Sequence, residues 1–550
     1  MPSPARHHRA PLLWLLLPFL GGLVGAWHWS LPAAGAGPLV AAAGALALAA
    51  GFLARGRSRL ALAAWGGGLA CSAGLTGFAY LHLRHPRLHE GDLRPPRDAT
   101  LVVEVRQRFA VRPGARSLAG TGVVVAAGRA HPDLVGQRIA FSALRRGGVV
   151  PARSGRYVMR GVAEPLARGA DRTGFDDYLA SLGVRQRLTR ARVVREVAPP
   201  AAWARLSEQV AGHCARILQR GLEHRPAAAS VYRAMLLGER AELTPEQERA
   251  FMRSGTFHVF SISGLHVGVI ALALQQLFRL LRVPPRRAVA GCLLLLGGYV
   301  HLTGASPPAV RALLMVAFLL AARAFRLPGN ALAALAASAL ACLLLDPLQL
   351  FGAGFQMSYA VVTALIVMGA PLAERWNLAW QPYGWLPRPD WRWRHHLVDW
   401  TRRRLLAGLA AGGAAFLAST PPGIGNFGLL SPGSLLANLC IVPLSSLAII
   451  AGLLSLFAGL AGAEALSTVF NAAAGLLIVT MDAALRAYAE WPGVCFDVRA
   501  RAAWLPEAAL ALLLATMLAG RGLGWTRRGG GFWPPVAVVV LLVALGTTRP

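Results

Sequence analysis

The sequence predicts a polytopic α-helical membrane protein with a small all-β domain inserted after the third membrane helix. Three observations carry this. Of 550 residues, 55% are hydrophobic and only 15% charged, where a soluble domain carries about 25% charged residues; mean hydropathy is +0.48. Apolar runs long enough to cross a bilayer recur along the chain. Between residues 82 and 200 those runs give way to short Arg- and Val-rich segments with alternating polarity, the pattern of half-buried strands.

The elements follow in order. Arg6 and Arg9 precede an apolar run from Pro11 to Trp29, and a second run covers Leu31 to Leu53. Arg55, Arg57 and Arg59 separate it from a third, Leu60 to Leu81. Arginines before the first run and between the second and third place both sites inside. Residues 1–81 therefore read as three membrane helices with a cytoplasmic N-terminus, and 82–200 as a soluble extracytoplasmic domain. Candidate strands there are Thr100–Phe109, Gly120–Ala127, Gly136–Leu144, Tyr157–Val162 and Arg185–Val194. Five short strands with glycine-marked turns suggest a small closed barrel of the oligonucleotide-binding (OB) type. Arg106, Arg108, Arg112 and Arg116 form a possible phosphate track, and Tyr157 is a candidate platform for stacking a base. The plainer reading is an arginine-rich solvated face.

Residues 201–256 read as amphipathic surface helices. Thr244-Pro-Glu-Gln247 has the order of a capping box with proline at the first helical position, and Gly255 supplies a left-handed terminus. An uncharged run then continues from Ser254 to Phe278, long enough to span, with His258, Ser261, Ser263 and His266 in its entry half. Polar groups at that depth are costly and are kept for a path, a site or a helix contact. Gly264 and Gly268, one turn apart, read as a close-packing face.

"AMLLGERAELTPEQERAFMRSGTFHVFSISGLHVGVI" closely resembles the signature of the ComEC competence family, inner-membrane channels for single-stranded DNA in transformable bacteria. Asp171-Arg-Thr-Gly-Phe-Asp-Asp-Tyr-Leu-Ala-Ser-Leu-Gly183 looks like that family's link at the end of the soluble insert. "ASPPAVRALLMVAFLLAARAFRLPGNALAALAA" from residue 305, Asp346-Pro347, Gly354-Phe-Gln-Met-Ser358 and "SLLANLCIVPLSSL" (434–447) are similar to its core. These stretches keep the family's order over roughly residues 10–460. Val259 and Phe260 depart mildly from the usual apolar pair, and Gly425-Asn-Phe-Gly428 lacks a histidine that many members have.

The resemblance implies a channel core over 257–495 and further membrane helices over 496–550 in the bacterial inner membrane. It implies single-stranded DNA, a periplasmic DNA receptor and a cytoplasmic helicase or single-strand-binding proteins as partners, besides membrane lipids and a possible homo-oligomer. It also implies a nuclease activity in a C-terminal domain similar to metallo-β-lactamases. This sequence has no His-x-His-x-Asp-His cluster and no Gly-Lys-Ser/Thr phosphate loop, so no catalytic centre, no metal site and no cofactor is expected in these 550 residues.

Path candidates are His258, Ser261, Ser263, His266 and Arg311; the last follows Ser306-Pro-Pro308, where a broken helix can place charge in a cavity or let arginine snorkel. Gln356 and Asn438 read as helix-contact residues. Two other functions fit parts of the pattern. A secondary transporter or channel for a small anionic or lipid-linked solute explains the helices and Arg311 but not the basic β-domain. An intramembrane serine hydrolase would use Ser261 or Ser263 with His258 or His266, but no oxyanion donors are evident.

Net charge is +31 and every basic residue other than histidine is arginine. Trp376, Trp380, Trp385, Trp391, Trp393 and Trp400 lie among Arg and Pro and read as an interfacial belt, with base stacking as the alternative. The run 431–460 is expected to kink at Pro443 or divide into a re-entrant pair, and 465–488, with Asp482 and Arg486, to lie flat on the membrane. The six cysteines have no metal-type spacing and read as small buried hydrophobes, Cys495 excepted.

Overall fold

The computed structural model describes residues 12–31, 35–53, 58–86, 95–109, 114–129, 131–144, 149–167, 174–260, 262–327, 329–524 and 532–548. The first elements are α1 (Leu12–His28), α2 (Ala36–Leu53), α3 (Arg59–Arg84), β1 (Arg97–Arg108), β2 (Ser117–Ala127), β3 (Arg138–Leu144), β4 (Arg156–Pro165), α4 (Gly174–Ser181) and β5 (Val184–Ala198). Then come α5 (Ala202–Gln219), α6 (Pro226–Leu237), α7 (Pro245–Arg253), α8 (Gly264–Leu280), α9 (Pro285–Leu302), α10 (Pro307–Ala324) and α11 (Ala331–Leu345). The last are α12 (Ala353–Ala364), α13 (Ala370–Ala379), α14 (Trp393–Phe427), α15 (Ser434–Leu460), α16 (Glu464–Ala489), α17 (Leu505–Gly522) and α18 (Trp533–Gly546). The chain forms two compact units, Met1–Ala201 with Ala317–Gly352, and Ala202–Val316 with Ala353–Pro550.

In the first unit, α1 to α3 pack through small residues. A Cβ on Gly22 would sit 1.9 Å from the Gly74 carbonyl oxygen, and one on Gly77 would sit 2.3 Å from that of Phe19. Such close backbones are a means of association where burial of apolar surface supplies no drive between helices. Ser72 Oγ donates to Ala43 O across α2 and α3 at 2.8 Å. The C-terminal carbonyls of α11 receive side chains from α3: Tyr80 Oη donates to Leu344 O (2.5 Å) and Arg84 Nη2 to Leu345 O (3.0 Å). Trp27 stacks on Phe351 with centroids 4.1 Å apart.

All five expected strands are present. They close into a barrel in the order β1-β2-β3-β5-β4, with β3 and β5 parallel and the other pairs antiparallel. Alternation drives the closure, because Leu101, Val103 and Val105 of β1 turn inward to meet Ile139, Phe141, Met159 and Leu188. Gly122 is obligatory at the β1–β2 contact, since a Cβ there would lie 2.4 Å from Val103 Cγ1. Tyr157 belongs to this core at 1% exposure, and its hydroxyl accepts the Ala152 N–H at 3.0 Å. The expectation of a stacking platform there is corrected: the strand's register turns Tyr157 inward with Met159.

The second unit contains α5 to α9, most of the long apolar helices and the α17–α18 pair. In the whole chain, seven described helices are long and apolar enough to cross a membrane: Leu60–Arg84, Pro307–Ala324, Ala353–Ala379, Trp393–Phe427, Ser434–Leu460, Glu464–Ala489 and Leu505–Gly522. The barrel thus follows the first of these seven rather than the third, because Leu12–His28 and Ala36–Phe52 are apolar but shorter. The Ser254–Phe278 run is not one spanning helix. A 3-10 turn (Phe257–Phe260) precedes α8, which has 17 residues.

Ser434–Leu460 is one helix that keeps Pro443 inside it, with Ser445 and Ser446 Oγ donating to Val442 O. The flat-lying expectation for 465–488 is also corrected. α16 packs along α15, joined by a buried Ser455–Ser467 hydroxyl contact of 2.9 Å, and Arg486 pairs with Asp482 one turn away on the same helix. All six cysteines are free; Cys71 and Cys440, expected inside, are exposed on α3 and α15.

Candidate functional site

The motif 254–266 sits where α7 turns into α8. Thr244 Oγ1 accepts the Gln247 N–H (3.2 Å) and Gln247 Oε1 accepts the Thr244 N–H (3.1 Å), the reciprocal cap expected at the start of α7. Gly255 ends that helix at φ +69°, and a Cβ there would also meet Ser434 Cβ at 2.5 Å. Ser254 and Thr256 are fully buried and share a 2.8 Å hydroxyl contact. Arg240, which sequence patterns alone do not single out, donates from Nε to Phe260 O at 2.9 Å and lies over the Phe257 ring. It therefore fixes the 3-10 turn. Buried Arg233 pairs with Glu242 and Glu239 on the same loop. The only local signal for these roles is the density of charge in Gly238-Glu-Arg-Ala-Glu242.

Ser263 and His266 are brought together. The imidazole Nδ1 is 2.9 Å from Ser263 Oγ and accepts the Ser263 N–H at 3.3 Å. An Nδ1 that accepts an amide proton carries none itself, so the hydrogen of the neutral ring is on Nε2. That atom is buried and has no partner among the described residues. The arrangement is a helix cap, with His266 in the place usually held by Glu or Gln. His258 is exposed on the preceding turn, in a different element from His266, so the two do not share one helical face. Ser261 lies outside the described residues. Gly264 and Gly268 are not a packing face: a Cβ on either meets nothing within 4 Å, because the neighbours of α8 cover its other side.

Arg311 is 3% exposed. Its Nη2 donates to Gly354 O (2.8 Å) and Ser358 Oγ (3.1 Å), and its Nε to Ser358 Oγ (3.3 Å), tying α10 to α12. It occupies a helix contact rather than a snorkelling position. Gln356 is half-buried on α12, and Asn438 Oδ1 is buried without a partner among the described residues. No group of three or more His, Cys, Asp or Glu suited to a metal occurs among the described residues.

In the barrel, Arg106 and Arg108 project from the outer face of β1, alternating with the core residues, and Arg116 is exposed just before β2. Register places Arg108 opposite Gly120 of β2, so Arg108 and Arg116 flank one hairpin mouth. Arg112 lies outside the described residues. Arg106 and Arg156 each reach Glu104, at 3.1 Å. Burial, and after it the neighbouring Arg106 guanidinium, hold Arg153 below the ordinary arginine value. Two guanidinium groups thus share the Glu104 carboxylate, with that of Arg153 close by, leaving excess positive charge on this face.

Comparison with known proteins supplies the family. The family described as "Competence protein" matches residues 235–522. "ComE operon protein 3" of Bacillus subtilis (strain 168) is 35% identical over 142 residues, 26% of this chain and 18% of that protein. "Competence protein ComA" of Neisseria gonorrhoeae is 41% identical over 144 residues, 24% of this chain and 20% of its own. "Uncharacterized protein YcaI" of Escherichia coli (strain K12) is 30% identical over 167 residues, 28% and 20% respectively. The matched segments span about a fifth of the length of these relatives. No solved structure matches. With more than half of its residues covered by the family match, and with the motif turn and the multi-helix architecture in place, the chain belongs to the competence protein family.

Proposed function

We propose that this protein provides the membrane path for single-stranded DNA during bacterial DNA uptake. The observation that carries the reading is a closed five-stranded barrel with an arginine-rich outer face, on a competence-family chain with seven helices among its described residues long and apolar enough to cross a membrane. In this reading the barrel lies outside the cytoplasm and receives the strand from a periplasmic DNA receptor. A cytoplasmic helicase or single-strand-binding proteins draw the strand in. The chain itself has a conducting rather than a catalytic role, and Ser263 with His266 serves as a helix cap.

The test is binding of single-stranded DNA by the full chain in lipid nanodiscs across a salt series. Affinity is expected to fall steeply with salt. Replacing Arg106, Arg108 and Arg116 by alanine is expected to lower the log–log slope by about 0.7 for each phosphate no longer neutralised. Absence of binding at low salt, together with transport of a small anion by the same preparation, would replace this reading with that of a solute transporter.

A further inference from the structure

The loop before α14 and the first turns of that helix line a widely open surface cavity of about 680 Å³. Its walls include Arg388, Trp391, Trp393, His396, Trp400 and Arg403. Positions 393, 396, 400 and 403 are spaced by three or four residues and fall on one face of α14. Trp391 also lines the cavity and is fixed: its Nε1–H donates to Leu386 O (3.1 Å), and its ring meets Tyr383 and His396 edge-on, with centroids 6.0 and 5.3 Å away. Trp393 and Trp400 are by contrast 77% and 57% exposed. The Arg404 guanidinium already stacks over Trp400 at 5.5 Å. Asp399 does not repel an anion here, because Arg402 Nη2 and Arg403 Nε both bond it at 2.7 Å. From Trp385 to Arg404 the segment holds six arginines and two aspartates.

Membrane anchoring does not account for the exposed Trp393 indole, whereas Trp400, about 8 Å before Leu405, is within reach of the headgroup layer. α14 has 35 residues, about 52 Å at ~1.5 Å per residue. Its uncharged part, from Leu405 to Phe427, already fills the ~30 Å hydrocarbon layer. Trp393 stands about 18 Å before that part begins, and about 14 Å along the membrane normal even at a 40° tilt. The headgroup layer is only about 5–8 Å deep on each side.

The geometry points to a nucleobase-stacking subsite of the strand path in this cavity, with Trp393 and Trp400 as the planes and Arg388 and Arg403 as phosphate contacts. This rests on the single-stranded DNA reading above and gives it a place where bases, not only phosphates, are held. Stacking is tolerant of sequence because every base has a π-face, which suits a strand that must keep moving.

The experiment compares two 20-mers on the full chain in nanodiscs: oligothymidylate and an abasic sugar–phosphate strand of equal charge. Wild type is expected to prefer the base-bearing strand about tenfold or more. W393A/W400A should bind both strands alike, at the abasic level, and W393F/W400F should restore part of the preference. Equal binding of both strands by wild type, or an undiminished preference in W393A/W400A, overturns the subsite while leaving the DNA reading intact. Wild type that binds neither strand overturns the DNA reading and the subsite with it. Brominated-lipid quenching of wild type that is lost in W393F would place that indole in the bilayer and overturn the subsite independently.

Discussion

Asn471 is fully buried on α16 and closes the end of another helix. Its Nδ2 donates to Ile217 O (2.7 Å) and Arg220 O (3.0 Å), carbonyls at the C-terminal end of α5, and its Oδ1 accepts the Tyr232 hydroxyl at 3.4 Å. Asn471→Leu keeps the volume and removes all three. Ile217 O retains a weak bond from the Arg220 N–H at 3.3 Å, but Arg220 O loses its donor. Two hydrogen bonds at about 1 kcal/mol each, plus about 1–2 kcal/mol for an orphaned buried carbonyl, predict a loss of ~3 kcal/mol. The Tyr232 hydrogen bond is long, so Tyr232→Phe should cost less than about 1 kcal/mol. Equilibrium unfolding of the full chain in mixed micelles gives both values, and tryptic cleavage after Arg216 and Arg220 reports local release of α5. Asn471→Leu within about 0.5 kcal/mol of wild type, with unchanged cleavage, would refute the idea that this amide holds α5 against α16.

Three further outcomes follow from the geometry. Gly22→Val should destabilise the first unit by roughly 1–3 kcal/mol through overpacking of α1 on α3, while Gly21→Ala, with nothing within 4 Å, should be neutral; thermal unfolding separates them. His266→Gln keeps a capping acceptor and should retain stability, whereas His266→Leu should lose about 1 kcal/mol, and hydrolase activity that disappears in both would instead favour a catalytic Ser–His pair. His85, just beyond α3, has its pKa lowered from 6.5 to about 4 by burial first, with Arg138, Arg84 and Arg185 adding to the effect and Asp346 opposing it. The unfolded chain therefore binds more protons between those values, so His85 makes stability fall as pH drops from about 6.5 to 4. His85→Gln should flatten that slope in unfolding measured across pH.

What the sequence discloses is local. The Thr244–Gln247 cap and the Gly255 terminus depend on neighbours within a few residues, and the five strands announce themselves by alternation. Tyr157 is misplaced by sequence alone because Val158 is as apolar as its neighbours, so β4 has no clear parity. Arg311 and Asn471 are not legible in their roles, since their partners lie 47 (for Ser358) and about 250 residues away. For α16, Asp482 and Arg486 suggest a polar face, but pairing one turn apart they offset each other's charge, and the helix packs like its apolar neighbours. Gly264 and Gly268 show the converse: helical spacing identifies a face but not whether anything covers it.

The first unit is not contiguous in the chain. Its last stretch, Ala317–Gly352, is made after Ala202–Val316, about 115 residues later. At a synthesis rate of ~5–20 residues per second, those 115 residues alone keep α3 waiting about 6–23 s for its partners on α11. Through that interval Tyr80 and Arg84 have no Leu344 or Leu345 carbonyl to bond, and Trp27 has no Phe351 ring. The nascent protein thus carries an unfinished unit through much of its own translation, which makes the stretch from Ala202 to Val316 the period in which insertion factors and quality-control proteases have their opportunity to act.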